Sequence, residues 1–93
     1  MRTIERSTRF RRDYKREAKG RQAGTLDADL VAIITMLAGD APLAPALRDH
    51  ALSGEWIGYR DCHVKPDLVL IYSKPDDATL RLVRLGSHSE VFD

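Results

Sequence analysis

Three histidines, His50, His63 and His88, one arginine, Arg84, and one aspartate, Asp67, lie in or beside the connections of the second half of this 93-residue chain, where functional side chains tend to sit. If Val64-Lys65-Pro66 forms a hairpin loop, His63 and Asp67 face each other across its mouth, with Cβ atoms about 5 Å apart as in any directly opposed pair. A carboxylate there would favour the charged imidazole and hold its orientation. Arg84 closes the last apolar run, and His88 follows four residues later, past Gly86. Such a set suits acid–base work on a phosphodiester. A base takes a 2′-OH proton, a guanidinium stabilises the charged intermediate and an acid protonates the leaving oxygen. Each member alone has a plainer reading: Asp67 stabilising a turn, Arg84 pairing with Asp61 or Glu90. Convergence is what favours chemistry.

Other chemistries fit less well. The histidine spacings, thirteen and twenty-five residues, match no local metal signature, which leaves a His/His/Asp site assembled by folding as the competing metal reading. There is no glycine-rich phosphate loop. Cys62 alternates with His63 and so should point to the opposite face of a strand, as a small core residue rather than a nucleophile. Trp56, Tyr59 and Tyr72 read as packing residues. Phe92, after the polar turn Ser87-His88-Ser89-Glu90, either stacks on a base or packs over the sheet edge.

The elements that must position these residues are readable from periodicity and turn formers. Arg2 to Arg6 reads as a short strand. Ser7 or Thr8 caps a helix with Phe10, Tyr14 and Ala18 on one stripe and Gly20 as its stop. A second helix runs from Thr25 to Gly39, with Asp27 and Asp29 in its first turn and Leu26, Leu30, Ile33, Ile34 and Leu37 as a core face. Asp40 to Gly54 reads as a loop. Trp56 to Val64, Leu68 to Lys74 and Thr79 to Gly86 then read as three strands joined by short turns, an antiparallel meander with the second strand central. That order brings Asp67 and the Arg84 to His88 stretch to one edge. Helices grouped before strands imply an α+β fold, two N-terminal helices packed on a mostly antiparallel sheet.

Length bounds this to one domain spanning residues 1–93. With 43% hydrophobic and 31% charged residues, the chain is neither a disordered tail nor membrane-embedded. The N-terminus has no apolar run after its basic residues, and a lone cysteine forms no internal disulfide, so the expected location is the cytoplasm. The net charge of +1 conceals an asymmetry: Met1 to Arg21 holds nine basic and three acidic residues, the remainder six basic and eleven acidic. Arg9, Arg11, Arg12, Lys15, Arg16 and Lys19 make the first helix a candidate RNA-binding surface, with a solvated charged face as the plainer alternative.

From Leu43 to Phe92 the residues resemble the YafQ branch of the RelE-like bacterial toxins. The resemblance rests on Asp49-His50, on Leu52-x-Gly54-x-Trp56-x-Gly58-Tyr59-Arg60-Asp61-Cys62-His63, on Pro66-Asp67, on Leu70-Ile71-Tyr72 and on Arg84-x-Gly86-Ser87-His88-Ser89-Glu90-x-Phe92. It implies a ribonuclease toxin that enters the ribosomal A site, cuts mRNA without a metal or other cofactor, and is silenced by a cognate antitoxin from the same operon. That antitoxin would be RelB/DinJ-like, with an N-terminal ribbon-helix-helix region through which the complex binds operator DNA. The matching catalytic positions are His50, His63, Asp67, Arg84 and His88. His50 or Asp67 would be the base, His88 the acid, Arg84 the phosphate clamp, and His63 an orienting or phosphate-binding group. Phe92, Lys65 and Arg60 are the expected substrate contacts. Leu68 stands where the family commonly has Trp and Leu85 where it commonly has Thr, departures that bear on codon preference. The alternative from another class is a non-enzymatic toxin on the same scaffold, acting on a target such as DNA gyrase.

Overall fold

The computed structural model describes residues 1–21 and 23–92. Ser7 decides where the first helix begins: its Oγ accepts the Phe10 N–H at 2.9 Å, and its hydroxyl donates to the Val83 carbonyl at 2.7 Å. One side chain thus caps α1, Thr8–Glu17, and ties its start to the sheet. α2, Leu26–Ala38, opens with Asp27 and Asp29 in its first turn and ends at Gly39. Strands β1, Thr3–Arg6, β2, His50–Ala51, β3, Arg60–Lys65, β4, Leu68–Ser73, and β5, Thr79–Gly86, form one sheet in the order β1-β5-β4-β3-β2. β1 runs parallel to β5 and the other pairs are antiparallel. A short helix α3, His88–Phe92, follows β5. This is the expected α+β arrangement, with β4 central.

Alternation divides the sheet's side chains between two cores. Cys62, Leu68, Leu70, Leu80, Leu82 and Leu85 pack with Phe10, Leu26, Leu30, Ile33 and Leu37 of α1 and α2. Val69, Ile71 and Val91, with Leu52, Trp56, Tyr59 and Phe92 against them, form a smaller cluster. β4 is buried along its whole length because it feeds both. Among the described residues no helix is long and apolar enough to cross a membrane.

Three expectations are corrected. The run beginning at Trp56 is not one strand: Gly54–Trp56 forms a 3-10 turn, and Gly58 at φ +92° re-aims the chain, so pairing starts only at Arg60. The stretch read as loop from Asp40 to Gly54 contains β2, whose two residues are too few for any periodicity. The hairpin register also differs: a bulge between His63 and Lys65 sets Lys65 opposite Leu68 and His63 opposite Val69. Asp67 therefore lies in the turn and does not face His63 across the hairpin.

Leu70 is fully buried in the helix-backed core. Leu70→Ala should lower unfolding free energy by ~2–5 kcal/mol, read from urea titration with an unchanged m-value.

Candidate active site

Strand register builds the site. His50 on β2 lies opposite Asp61 on β3, Asp61 opposite Ile71 on β4, and Ile71 opposite Arg84 on β5. One row across the sheet therefore holds His50, Asp61 and Arg84. The next row joins His63, Val69 and Gly86, and α3 begins two residues beyond Gly86, bringing His88 over His63 with ring centroids 5.1 Å apart. His88 Nδ1 lies 3.7 Å from Asp67 Oδ1. The structure thus gathers His50, His63, His88 and Asp67 on one side of the sheet edge, but Asp67 attends His88 rather than His63. Cys62 points into the opposite core, and burial pushes its thiol up to about 12, so it is no nucleophile.

His50 is held from its Nδ1 side. That nitrogen lies 2.7 Å from the carbonyl of Arg48, an acceptor only, so Nδ1 carries a proton, and in the neutral ring the lone pair is on Nε2. Arg48 adopts φ +51° at the end of the 3-10 turn Pro45–Leu47, a conformation uncommon for a side-chain-bearing residue, and so aims its carbonyl at the ring. The same Nδ1 is 3.1 Å from Asp61 Oδ1. That oxygen is buried without a hydrogen-bond partner among the described residues. Burial pushes the Asp61 carboxyl up, the charges of His50, His63 and His88 oppose the rise, and Asp49 adds to it. Asp61 is the site residue that sequence reasoning missed, having been weighed only as a partner for Arg84. Its signal was present: a carboxylate two residues before His63 shares that histidine's face of the strand.

Arg84 is committed elsewhere. Its Nε donates to Asp13 Oδ2 at 2.7 Å and its Nη2 to Asp13 Oδ1 at 3.2 Å and to the Glu90 carbonyl at 3.4 Å. Neither Asp61 nor the Glu90 carboxylate is its partner. Asp13 also accepts the Leu85 N–H at 3.0 Å and Arg16 Nη1 at 3.0 Å. Burial raises the Asp13 carboxyl, but hydrogen bonds from Arg84, Leu85 and Arg16 and the Arg84 charge outweigh it and leave it below its ordinary value. Arg16 goes on to the Leu85 carbonyl at 2.9 Å and Glu90 Oε2 at 3.1 Å, packing so closely over Gly86 that an added Cβ there would lie 2.8 Å from its Nη2. Arg16 is therefore a structural tie between α1, β5 and α3, although its side chain is 41% exposed.

The remaining candidates separate in the same way. Lys65 Nζ pairs with Asp29 at 2.5 Å, and Arg60 with Asp49 at 3.2 Å; Asp49 also accepts the Tyr72 hydroxyl at 2.5 Å. Both cations brace the fold. Phe92 is half-buried, edge-on to Trp56, with its ring centroid 6.0 Å from that of His88, so packing accounts for much of it while one side adjoins the site. Arg9, Arg11, Arg12, Lys15 and Lys19 are exposed. A recess of about 380 Å³ beside His63 is lined by Arg48, Lys65 and Pro66. Among the described residues no group of three or more His, Cys, Asp or Glu side chains is placed to hold a metal ion.

A mixed five-stranded sheet backed by α1 and α2 on one face, with imidazoles and carboxylates clustered beside α3 on the other, defines a small α+β protein. The chain belongs to the YafQ family, bacterial toxins of type II toxin–antitoxin systems, whose profile matches residues 2–93. It is 38% identical over 91 residues to an mRNA interferase toxin YafQ of Escherichia coli, covering 96% of this chain and 98% of that one. A copper-bound mutant toxin from Helicobacter pylori superposes with a TM-score of 0.88 at 39% identity, covering 99% of this chain and all of the other. YafQ from the E. coli DinJ–YafQ complex gives 0.80 at 35% identity over the whole of both chains.

Because Asp13 titrates below its ordinary 3.8 when folded, its contribution to stability is present above about pH 4 and is lost as pH falls through the folded value. Asp13→Asn should unfold at lower urea at pH 7, with a loss of ~3–5 kcal/mol for leaving Arg84 buried without its counter-charge. Its stability should also fall less steeply than wild type below pH 4; parallel acid limbs would contradict this linkage.

Proposed function

We propose that this toxin is an endoribonuclease that cuts mRNA in the ribosomal A site by metal-independent general acid–base catalysis. The observation that carries the reading is the gathering of three imidazoles at one sheet edge, His50 against the buried Asp61 and His63 within 5.1 Å of His88, with His50 held so that its neutral ring presents the Nε2 lone pair. His50 then serves as general base and takes the 2′-OH proton. Asp67, beside His88 and exposed, suits orienting His88 as the acid that protonates the leaving 5′ oxygen better than it suits the part of base. His63, its ring tilted against that of His88, supplies positive charge to the phosphate as negative charge builds; Arg84, in the cross-strand row of His50 but paired with Asp13, reaches the phosphate only by leaving that pair. Phe92 would meet a base through the side of its ring next to His88.

The exposed cations of α1 suit ribosomal RNA, whose phosphates attract Lys and Arg in a salt-dependent way. The DinJ–YafQ complex supports a cognate antitoxin as partner, RelB/DinJ-like with a ribbon-helix-helix region that carries the pair to operator DNA. An open groove of about 730 Å³ between α1, α2 and β1, apolar along Phe10, Leu30, Val31 and Ile34 and rimmed by Arg6, Arg11 and Lys15, fits an acidic amphipathic segment of that partner. The cytoplasm, where ribosomes and mRNA meet, is the working location this reading requires.

Induction should halt growth and produce in-frame mRNA cuts at ribosomes, while His50→Ala and His88→Ala abolish toxicity with the fold retained. Both variants remaining fully toxic would overturn the mechanism, and DNA damage with intact mRNA would point to a gyrase-type target instead. Cleavage by purified toxin on translating ribosomes, restored to magnesium after EDTA treatment of the toxin, should proceed at the untreated rate; a toxin inactivated by EDTA and revived by a transition metal would require a metal site.

A further inference from the structure

Among the described residues, one buried oxygen of Asp61 has no hydrogen-bond partner. His50 Nδ1 has two oxygens within reach, the Arg48 carbonyl at 2.7 Å and Asp61 Oδ1 at 3.1 Å, and the geometry gives the hydrogen bond to the carbonyl. A neutral imidazole needs no counter-charge, and the carbonyl suffices to fix its tautomer. The imidazolium is different: it places a positive charge against a carboxylate that is 3% exposed, where water screens little.

We propose, on the basis of the ribonuclease reading, that Asp61 is a positioning residue whose carboxylate receives the Nδ1–H of His50 once His50 becomes an imidazolium. In the step concerned, the proton of the 2′-OH passes to His50 Nε2. The 2′ oxygen forms a bond to phosphorus, and the bond from phosphorus to the 5′ oxygen breaks, with that oxygen taking a proton from His88. Asp61 neither gains nor loses a proton. The Nδ1–H turns from the Arg48 carbonyl to Oδ1, and a buried acceptor without a partner in the ground state gains a charged donor as the transition state forms. An interaction that strengthens only along the reaction raises the chemical rate rather than substrate affinity.

The groups facing Asp61 are His50 from β2, His63 from its own strand, His88 from α3 and Asp49 from the segment before β2. The three imidazoles favour its charged form and Asp49 opposes it. A buried carboxylate oxygen without a donor is a burden on the fold, and its place under the base rather than in a structural pair is the mark of a functional group.

The test compares wild type, Asp61→Asn, His50→Ala and the double variant for single-turnover mRNA cleavage on translating ribosomes, with thermal midpoints measured alongside. Asp61→Asn should cleave roughly ten- to a hundredfold more slowly, with unchanged KM for ribosomes and a midpoint equal to or above wild type. It should add no further loss in the His50→Ala background. Full-rate cleavage by Asp61→Asn beside an inactive His50→Ala would overturn the role and spare the ribonuclease reading. A lowered midpoint with an equal further loss in the double variant would make Asp61 merely structural. Intact mRNA with wild type would overturn the ribonuclease reading itself, and this role with it. If Asp61→Asn does not fold, nitrogen-15 spectra of wild-type His50 decide: the protonated ring should show a strongly downfield, slowly exchanging Nδ1 proton, and a freely exchanging one would refute the contact.

Discussion

A single carboxylate between α1 and the sheet holds the working end of the molecule together. Asp13 is charged, 4% exposed, and accepts from Arg84, Arg16 and the Leu85 N–H. β1 pairs with β5 only as far as Arg6 opposite Leu82, so beyond that point the edge of β5 loses its neighbouring strand, and the Asp13 side chain satisfies one of its exposed N–H groups. The same side chain sets the direction of Arg84. Through Arg16 and Glu90 the network reaches α3, the helix that carries His88 and Phe92. Removing one partner from such a buried set leaves the others uncompensated, which is why the pairs are worth more broken than counted.

Division of labour between the two faces of the sheet follows from the alternation of its strands. The helix-backed face buries Cys62, Leu70, Leu80, Leu82 and Leu85 and supplies most of the apolar burial. The other face carries features that cost the fold: a carboxylate oxygen on Asp61 with no partner among the described residues and a left-handed backbone at Arg48. β4, buried on both sides, is the partition.

Much of this order was legible in the residues. Ser7 marks the start of α1 by its capping bond, Thr25 and Gly39 stand at the ends of α2, and the apolar stripes of both helices and the β-branched runs after Arg60 have clear periods. What could not be read depended on single backbone turns. Gly58 has positive φ, which broke a run that looked continuous from Trp56. The bulge after His63 moved Asp67 away from that histidine and toward His88. β2 is only two residues long, yet it carries His50 into register with Asp61. Charge partners were the least legible, because the pairing of Asp13 with Arg84 spans 71 residues. Six cations on and just after α1 looked alike as a basic surface, but of these Arg16 faces Asp13 and Glu90. Conversely, the +1 net charge understates the exposed positive face that the other five present.

Central to the account is that a proton leaves the 2′-OH of the substrate for an imidazole at the sheet edge. The most direct measurement uses translating ribosomes carrying an mRNA with a single 2′-deoxynucleotide on the 5′ side of the scissile bond in the A-site codon. The account predicts that this message resists cleavage, and that the all-ribose message is cut to leave a 2′,3′-cyclic phosphate upstream and a 5′-hydroxyl downstream. Cleavage of the deoxy-substituted message at the normal rate, leaving a 5′-phosphate, would contradict it.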